Sequence, residues 1–230
     1  MAKKITKKTI KSGARKKVER SSSRTVLLNS ASALMAERGT IEISLSDIAK
    51  HSGLNAALVK YYFGTKQRMM LALLEDVLGR GLEQLEGLMA MDLDPVEKIK
   101  LHIRGIINTY FRYPFINRLI HYLFEDEESG PEVAEKISKP LAETQRKMIE
   151  EGIAKGLIKP VDPMFFYFIV LGACDHLFFG RHMLRVAFNI ESIDEGLRRN
   201  YTNTLLDIIL HGMLTESANT KSAPSAFTPN

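Results

Sequence analysis

The stretch SLSDIAKHSGLNAALVKYYFGTK, from Ser44 to Lys66, decides how the rest of the chain is read. Ser44 is followed three positions later by Asp47, the spacing of a capping box, so a short helix starts here with Leu45, Ile48 and Ala49 facing inward. It stops at the turn His51-Ser52-Gly53. Asn55, a strong N-cap residue, opens a second short helix over Ala56 to about Tyr62. Gly64 breaks the chain again, and Thr65 caps a much longer helix from Lys66 to about Leu88. Two short helices joined by a tight glycine turn have the proportions of a helix-turn-helix, and equally of a plain hairpin in a helical bundle. Spacing alone leaves both open.

The preceding helix is expected from Val18 or Ser22 to Arg38, with Leu27, Ala31, Leu34 and Met35 on one face and Gly39 as its stop. Leu45, Ile48, Ala49, Leu54, Leu58, Val59 and Phe63 can bury against it. That leaves Asn55, Ala56, Ala57, Lys60 and Tyr61 on an outward surface suited to a major groove. Small Ala56 and Ala57 permit close approach and contact with a thymine methyl, while Asn55 can pair with a base edge or a phosphate. Lys60, Tyr61 and Tyr62 can reach phosphate oxygens, which fix register without reading sequence. Lys66, beside the amides at the start of the long helix, adds a phosphate clamp, and Ser44 completes the DNA-facing set.

Charge separates the two readings. The 230 residues carry a net charge of +5, but residues 1–70 hold 15 Lys+Arg against 4 Asp+Glu, while the remainder is net −6. Nine of the basic groups fall in residues 1–20, too polar a stretch to pack, so a disordered basic arm is expected there. A strongly positive end on the same seventy residues as the two short helices favours DNA as the partner.

Three stretches carry a resemblance. RTVLLNSASALMAERG from Arg24 to Gly39, SLSDIAKHSGLN from Ser44 to Asn55, and YYFGTK from Tyr61 to Lys66 resemble the N-terminal signature of TetR/AcrR-type transcriptional regulators. The match covers about the first seventy residues. It departs at Lys60, where the family usually has a phosphate-binding Tyr, and at Tyr62, where a His is frequent. The resemblance implies a homodimer on a palindromic operator, released by a small molecule bound in a C-terminal domain. Repression rather than activation rests on it alone. One helix-turn-helix contacts too few bases for useful specificity, so a two-fold dimer also agrees with the physics.

The expected fold is therefore all-α, with about nine helices. A three-helix DNA-binding domain (residues 21–66) follows the arm and leads into a ligand-binding and dimerisation domain (67–214), then a disordered Ser/Thr/Pro-containing tail (215–230). Later helices are expected over Asp94 to Arg112, to about Phe124 after the Tyr113-Pro114 interruption, Pro131 to Lys155 with a kink at Pro140, Asp162 to Phe188, and Ile193 to Leu214; Glu125 to Gly130 reads as an acidic loop. Phe165, Phe168, Leu171, Leu177 and Phe178 on one of the last two helices, and Leu205, Ile208, Ile209 and Met213 on the other, are candidates for the dimer surface. In the resembling family this pair forms a four-helix bundle across the dimer axis.

Polar groups set in apolar helices are the pointers to an effector site: His102, Asn108, Tyr110, Arg112, Arg118, His121, Tyr122, Tyr167, Asp175 and His176. Arg112 and Arg118 suggest an anchor for an amphipathic acid, and Met69, Met70, Met89 and Met91 suit an adaptable apolar wall. Catalysis is not expected. Adjacent Cys174, Asp175 and His176 diverge around a helix, His176 and His182 do not share a face, and no nucleophile elbow, phosphate loop or zinc motif is present. No cofactor, metal or membrane partner is therefore anticipated. The single cysteine and the lack of an apolar leader fit a cytoplasmic protein. The alternative is a ligand-independent architectural DNA-binding protein, which the arm fits but the acidic helical body does not.

Overall fold

Caps place the helices of the N-terminal end. The computed structural model describes residues 23–216, so the basic arm and all but the first two residues of the tail lie outside it. Helix α1 covers residues 23–38 and buries Leu27, Ala31, Leu34 and Met35. Shortening such a fully buried leucine to alanine costs about 2–5 kcal/mol. Ser44 accepts from the Asp47 amide at 3.0 Å and Asp47 accepts from the Ser44 amide at 3.0 Å, closing the capping box of α2 (Leu45–Ser52). Gly53 turns the chain at φ +68°, a left-handed conformation that a side chain would strain. Asn55 then caps α3 (Ala56–Phe63), accepting from the Ala57 amide at 2.8 Å. Arg38 reaches Asp47 at 3.3 Å, tying α1 to α2, and the Arg24 guanidinium lies over the Phe63 ring.

Thr65 caps α4 (Lys66–Met89), whose first half is almost wholly buried from Met69 to Leu74. Asp94 and Pro95 start α5 (Pro95–Arg112), and α6 (Ile116–Phe124) follows the Tyr113-Pro114 break. The acidic loop is shorter than expected, because Asp126 accepts from the Ser129 amide and α7 (Ser129–Val133) begins there. It runs through a π-helical turn, Ala134–Ser138, into α8 (Lys139–Ala154). Pro140 has no N–H and its ring crowds the carbonyl four residues back, so the chain widens just ahead of it: the Lys139 amide bonds Ala134, five residues away.

The most apolar helix is broken, contrary to the expectation of one helix from Asp162 to Phe188. It ends at α9 (Pro163–Phe179), and α10 (Arg181–Phe188) leaves at 67°. Gly180 permits the bend, since a Cβ there would stand 3.1 Å from the His176 carbonyl. Helix α11 (Glu195–Met213) closes the body. The tail begins later than residue 215, because the Thr215 amide and hydroxyl bond Leu157 and Gly156. Among the described residues no single helix is long and apolar enough to cross a membrane.

Helix α5 packs against α4, α8, α9 and α11, and α4 against α6 and the α7–α8 rod. An ionic network joins α4 to that rod: Arg68 pairs with Glu132 at 2.7 Å, and Lys136 lies 2.6 Å from both Glu132 and Glu75. The residues expected on a dimer surface divide. Phe178, Leu205 and Ile209 are core residues, because the faces of α9 and α11 that carry them pack inward. Phe165, Phe168 and Ile208 are exposed, and Met164, Ile169, Phe179, Met183, Val186 and Phe188 extend that exposed apolar set along α9 and α10.

Candidate functional site

Helix α3 presents the surface expected of it. Asn55, Ala56, Ala57, Lys60 and Tyr61 are exposed along it, while Val59 and Phe63 anchor its other side in the core. The Asn55 carbonyl oxygen is occupied by the cap, and its amide nitrogen makes no hydrogen bond among the described residues. Tyr62 is half-buried and meets the Tyr61 ring edge-on at 5.2 Å. Lys66, also half-buried, is the first residue of α4. Ser44 is exposed, but its hydroxyl accepts from the Asp47 amide and donates to the Asp47 carboxylate at 2.6 Å. Its first role is therefore to hold α2. Those bonds and Arg38 keep the Asp47 carboxyl well below the usual carboxylate range.

A cavity of about 250 Å³ lies between α4, α5, α6, the π turn and α9. Leu82, Leu85, Ile106, Ile120, Ile137 and Leu171 make much of its wall. Gln84, His102, Thr109, Tyr110, Ser138 and Tyr167 are its polar members, and no Lys, Arg, Asp or Glu lines it. The His102 side chain lies 2.8 Å from the amide nitrogen of Gln145, which is fully buried behind it. Burial pushes the His102 pKa down to about 4, so the ring is neutral at pH 7. Burial also raises the Tyr110 phenol above its ordinary range.

Both features lie largely within stretches that match known protein families. A profile of the bacterial regulatory proteins of the tetR family matches residues 27–73, and one of the tetracyclin repressor-like C-terminal domain matches residues 92–219. The chain belongs to the TetR/AcrR family of transcriptional regulators.

Among curated relatives, the regulator BetI of Rhizobium meliloti (strain 1021) is 28% identical over 81 residues, which is 35% of this chain and 40% of BetI. RutR of Escherichia coli (strain K12) is 23% identical over 175 residues, 75% of this chain and 81% of RutR. Two solved structures share the fold. FadR from Bacillus subtilis, in complex with stearoyl-CoA, superposes with a TM-score of 0.62 at 20% identity, covering 82% of this chain and 98% of FadR. AibR, in complex with isovaleryl coenzyme A and operator DNA, gives 0.65 at 18% identity, covering 81% and 97%.

In this TetR-family chain the polar residues expected at an effector site do not converge. His102, Tyr110 and Tyr167 line the cavity. Exposed Asn108 is bonded by Arg198, and exposed Arg112 lies over the Tyr113 ring. Arg118 donates to the Gly39 carbonyl, and His121 stands 3.5 Å from Asp175. Tyr122 is half-buried outside the lining, and His176 is exposed near the end of α9. An acid anchored on Arg112 or Arg118 therefore finds neither guanidinium in the cavity wall. Of the four methionines, Met69 and Met70 are core, Met91 is exposed, and none lines the cavity. Sequence reading missed Gln145, which sits on a charged helix and resembles a surface residue, and it missed Gly81 and Gly105, whose lack of side chain helps leave the cavity open.

Proposed function

We propose that this TetR-family regulator is a homodimeric repressor that occupies a palindromic operator and releases it when a small, mainly hydrophobic molecule enters the cavity. The observation that carries the reading is a shared helix. Lys66 stands at the DNA-facing start of α4, and Leu82, Leu85 and Leu88 of the same helix line the cavity. Asn55, Ala56 and Ala57 face the bases, while Lys60, Tyr61, Tyr62 and Lys66 hold phosphates. Ser44 positions the end of α2. The seam between the DNA-binding and effector domains falls at the start of α4.

Several observations support the finer points. FadR and AibR share the fold and were crystallised with acyl-CoA ligands, AibR also with operator DNA. Phe165, Phe168 and Ile169 on α9, Met183, Val186 and Phe188 on α10 and Ile208 on α11 are all more than half exposed, and a second copy would cover such apolar side chains. Occupying promoter DNA represses without further contacts.

The test is to select binding sites from random DNA and titrate the best site against its scramble over a range of salt concentrations. We expect an inverted repeat, two chains per site, and a preference that survives added salt. Equal affinity for both sequences with one common salt slope sinks this reading and favours ligand-independent, architectural DNA binding.

A further inference from the structure

The cavity wall specifies a class of ligand, given the reading above that this cavity is the effector site. Its charge is the first constraint. A carboxylate or ammonium entering it would lose its water and meet no counter-charge, because none of the lining residues is ionic at neutral pH. Size is the second. An apolar cavity of ~150 Å³ accepts benzene, so about 250 Å³ suits a molecule of about ten non-hydrogen atoms.

The third constraint is the unmet hydrogen-bonding capacity at one place in the wall. In this orientation of the Gln145 amide its nitrogen donates to His102 Nε2 at 2.8 Å, and its buried Oε1 has no partner among the described residues. A neutral ring accepting at Nε2 carries its proton on Nδ1, and that N–H has no acceptor among the described residues. His102 is 6% exposed and lines the cavity, so the missing acceptor has to come from the cavity's contents. Tyr110, on the same helix and likewise buried in the lining, has no hydrogen bond to its hydroxyl among the described residues and offers a second donor. With Thr109 donating to the Gly105 carbonyl and Tyr167 bonded to Ser138, these two buried neutral donors are left to recognise a carbonyl oxygen.

We propose that the cavity takes an uncharged, mainly aliphatic or alicyclic carbonyl compound of about ten non-hydrogen atoms, its oxygen accepting from His102. Such a molecule needs no cationic anchor. The class differs from the acyl-CoA thioesters bound to FadR and AibR, whose phosphates would find no partner in this wall.

Calorimetric titration of the full chain with 2-nonanone, nonanoate and nonanoyl-CoA at pH 7.5 tests this. The expected result is one 2-nonanone per chain, bound about tenfold or more tighter than either anion. His102→Leu should weaken 2-nonanone about tenfold. Gly105→Phe should abolish binding, because the Cβ direction at Gly105 is open and the residue lines the cavity. Gly81→Phe provides the same block from α4 should the first variant not fold. Tighter binding of nonanoate or nonanoyl-CoA, abolished by these blocks, overturns the uncharged class while the cavity remains the effector site. Undiminished 2-nonanone binding in both blocked variants overturns the cavity as the site. No binding of any of the three overturns the assigned class and size.

Discussion

The Arg118 guanidinium on α6 donates through Nη1 to the carbonyl oxygen of Gly39 at 2.6 Å, joining positions 79 residues apart. Gly39 closes α1, so this bond fastens the DNA-facing bundle to a helix whose Ile120 and Phe124 line the cavity. A cation at an unpaired helix-end carbonyl makes a charge-assisted contact. If the cavity is the effector site proposed above, α6 offers a second mechanical link towards the DNA-binding helices, beside α4.

Arg118→Ala should cost about 1–2 kcal/mol of stability and leave operator affinity of the ligand-free protein nearly intact. The change in operator affinity on adding a cavity ligand should shrink by about fivefold or more. Anisotropy titrations with and without 2-nonanone measure the ratio. A ratio equal to that of the unaltered protein removes α6 from the coupling.

On α3, Lys60→Ala should weaken operator and random DNA alike and lower the salt slope by about 1 per bound helix. Asn55→Ser keeps a capping side chain but loses the amide donor, so its effect should fall on sequence preference, about 1–3 kcal/mol at one base pair of each half-site. Competition titrations with single-base variants separate the two. The assignment fails for Asn55 if every sequence weakens equally.

His102 predicts a pH dependence. Its pKa lies at about 4 in the folded protein against 6.5 for the free group. Between those values the unfolded chain binds the extra proton, so stability rises with pH there. The contribution is complete above 6.5 and is lost as pH falls towards 4, about 3 kcal/mol at most. Urea unfolding at pH 7.5 and pH 4.5 should show a larger loss for the native chain than for His102→Gln. Equal losses would mean that the ring is hydrated.

Phe165→Glu with Phe168→Glu places charges where the single chain is already exposed, 58% and 66% respectively. The chain should fold normally, yet light scattering should give half the mass of the unaltered protein. Operator affinity should fall sharply, because each chain then binds one half-site alone. A variant that keeps the larger mass shows that association uses another face.

What could be read in advance was local. The Ser44–Asp47 box, the Asn55 and Thr65 caps and the Gly53 turn involve groups within three residues of one another, so sequence carries their geometry directly. Effector-site residues depend instead on which faces of several amphipathic helices meet. Asp175 and His121 look as out of place in apolar helices as His102 does, but they lie outside the cavity lining and approach each other. The break at Gly180 escaped because Met183, Leu184 and Val186 resume the apolar spacing after Arg181 and His182, and glycine alone does not announce a bend. Pro140 did announce one, though not that a π turn would absorb it.

The network of Arg68, Glu132, Lys136 and Glu75 makes ionic strength act in two places. Each of its side chains is at least 28% exposed, so added electrolyte screens the pairs that tie α4 to the α7–α8 rod. In the proposed operator complex the same electrolyte would compete with phosphate for Lys60 and Lys66. An operator titration against salt therefore mixes counterion release with a loosening of α4, and its slope overcounts the phosphates touched. Replacing Glu132 and Lys136 together by glutamine leaves the net charge unchanged and removes most of the second contribution, leaving only the longer Arg68–Glu128 pair at 3.7 Å, so the remaining slope belongs mainly to the DNA contact.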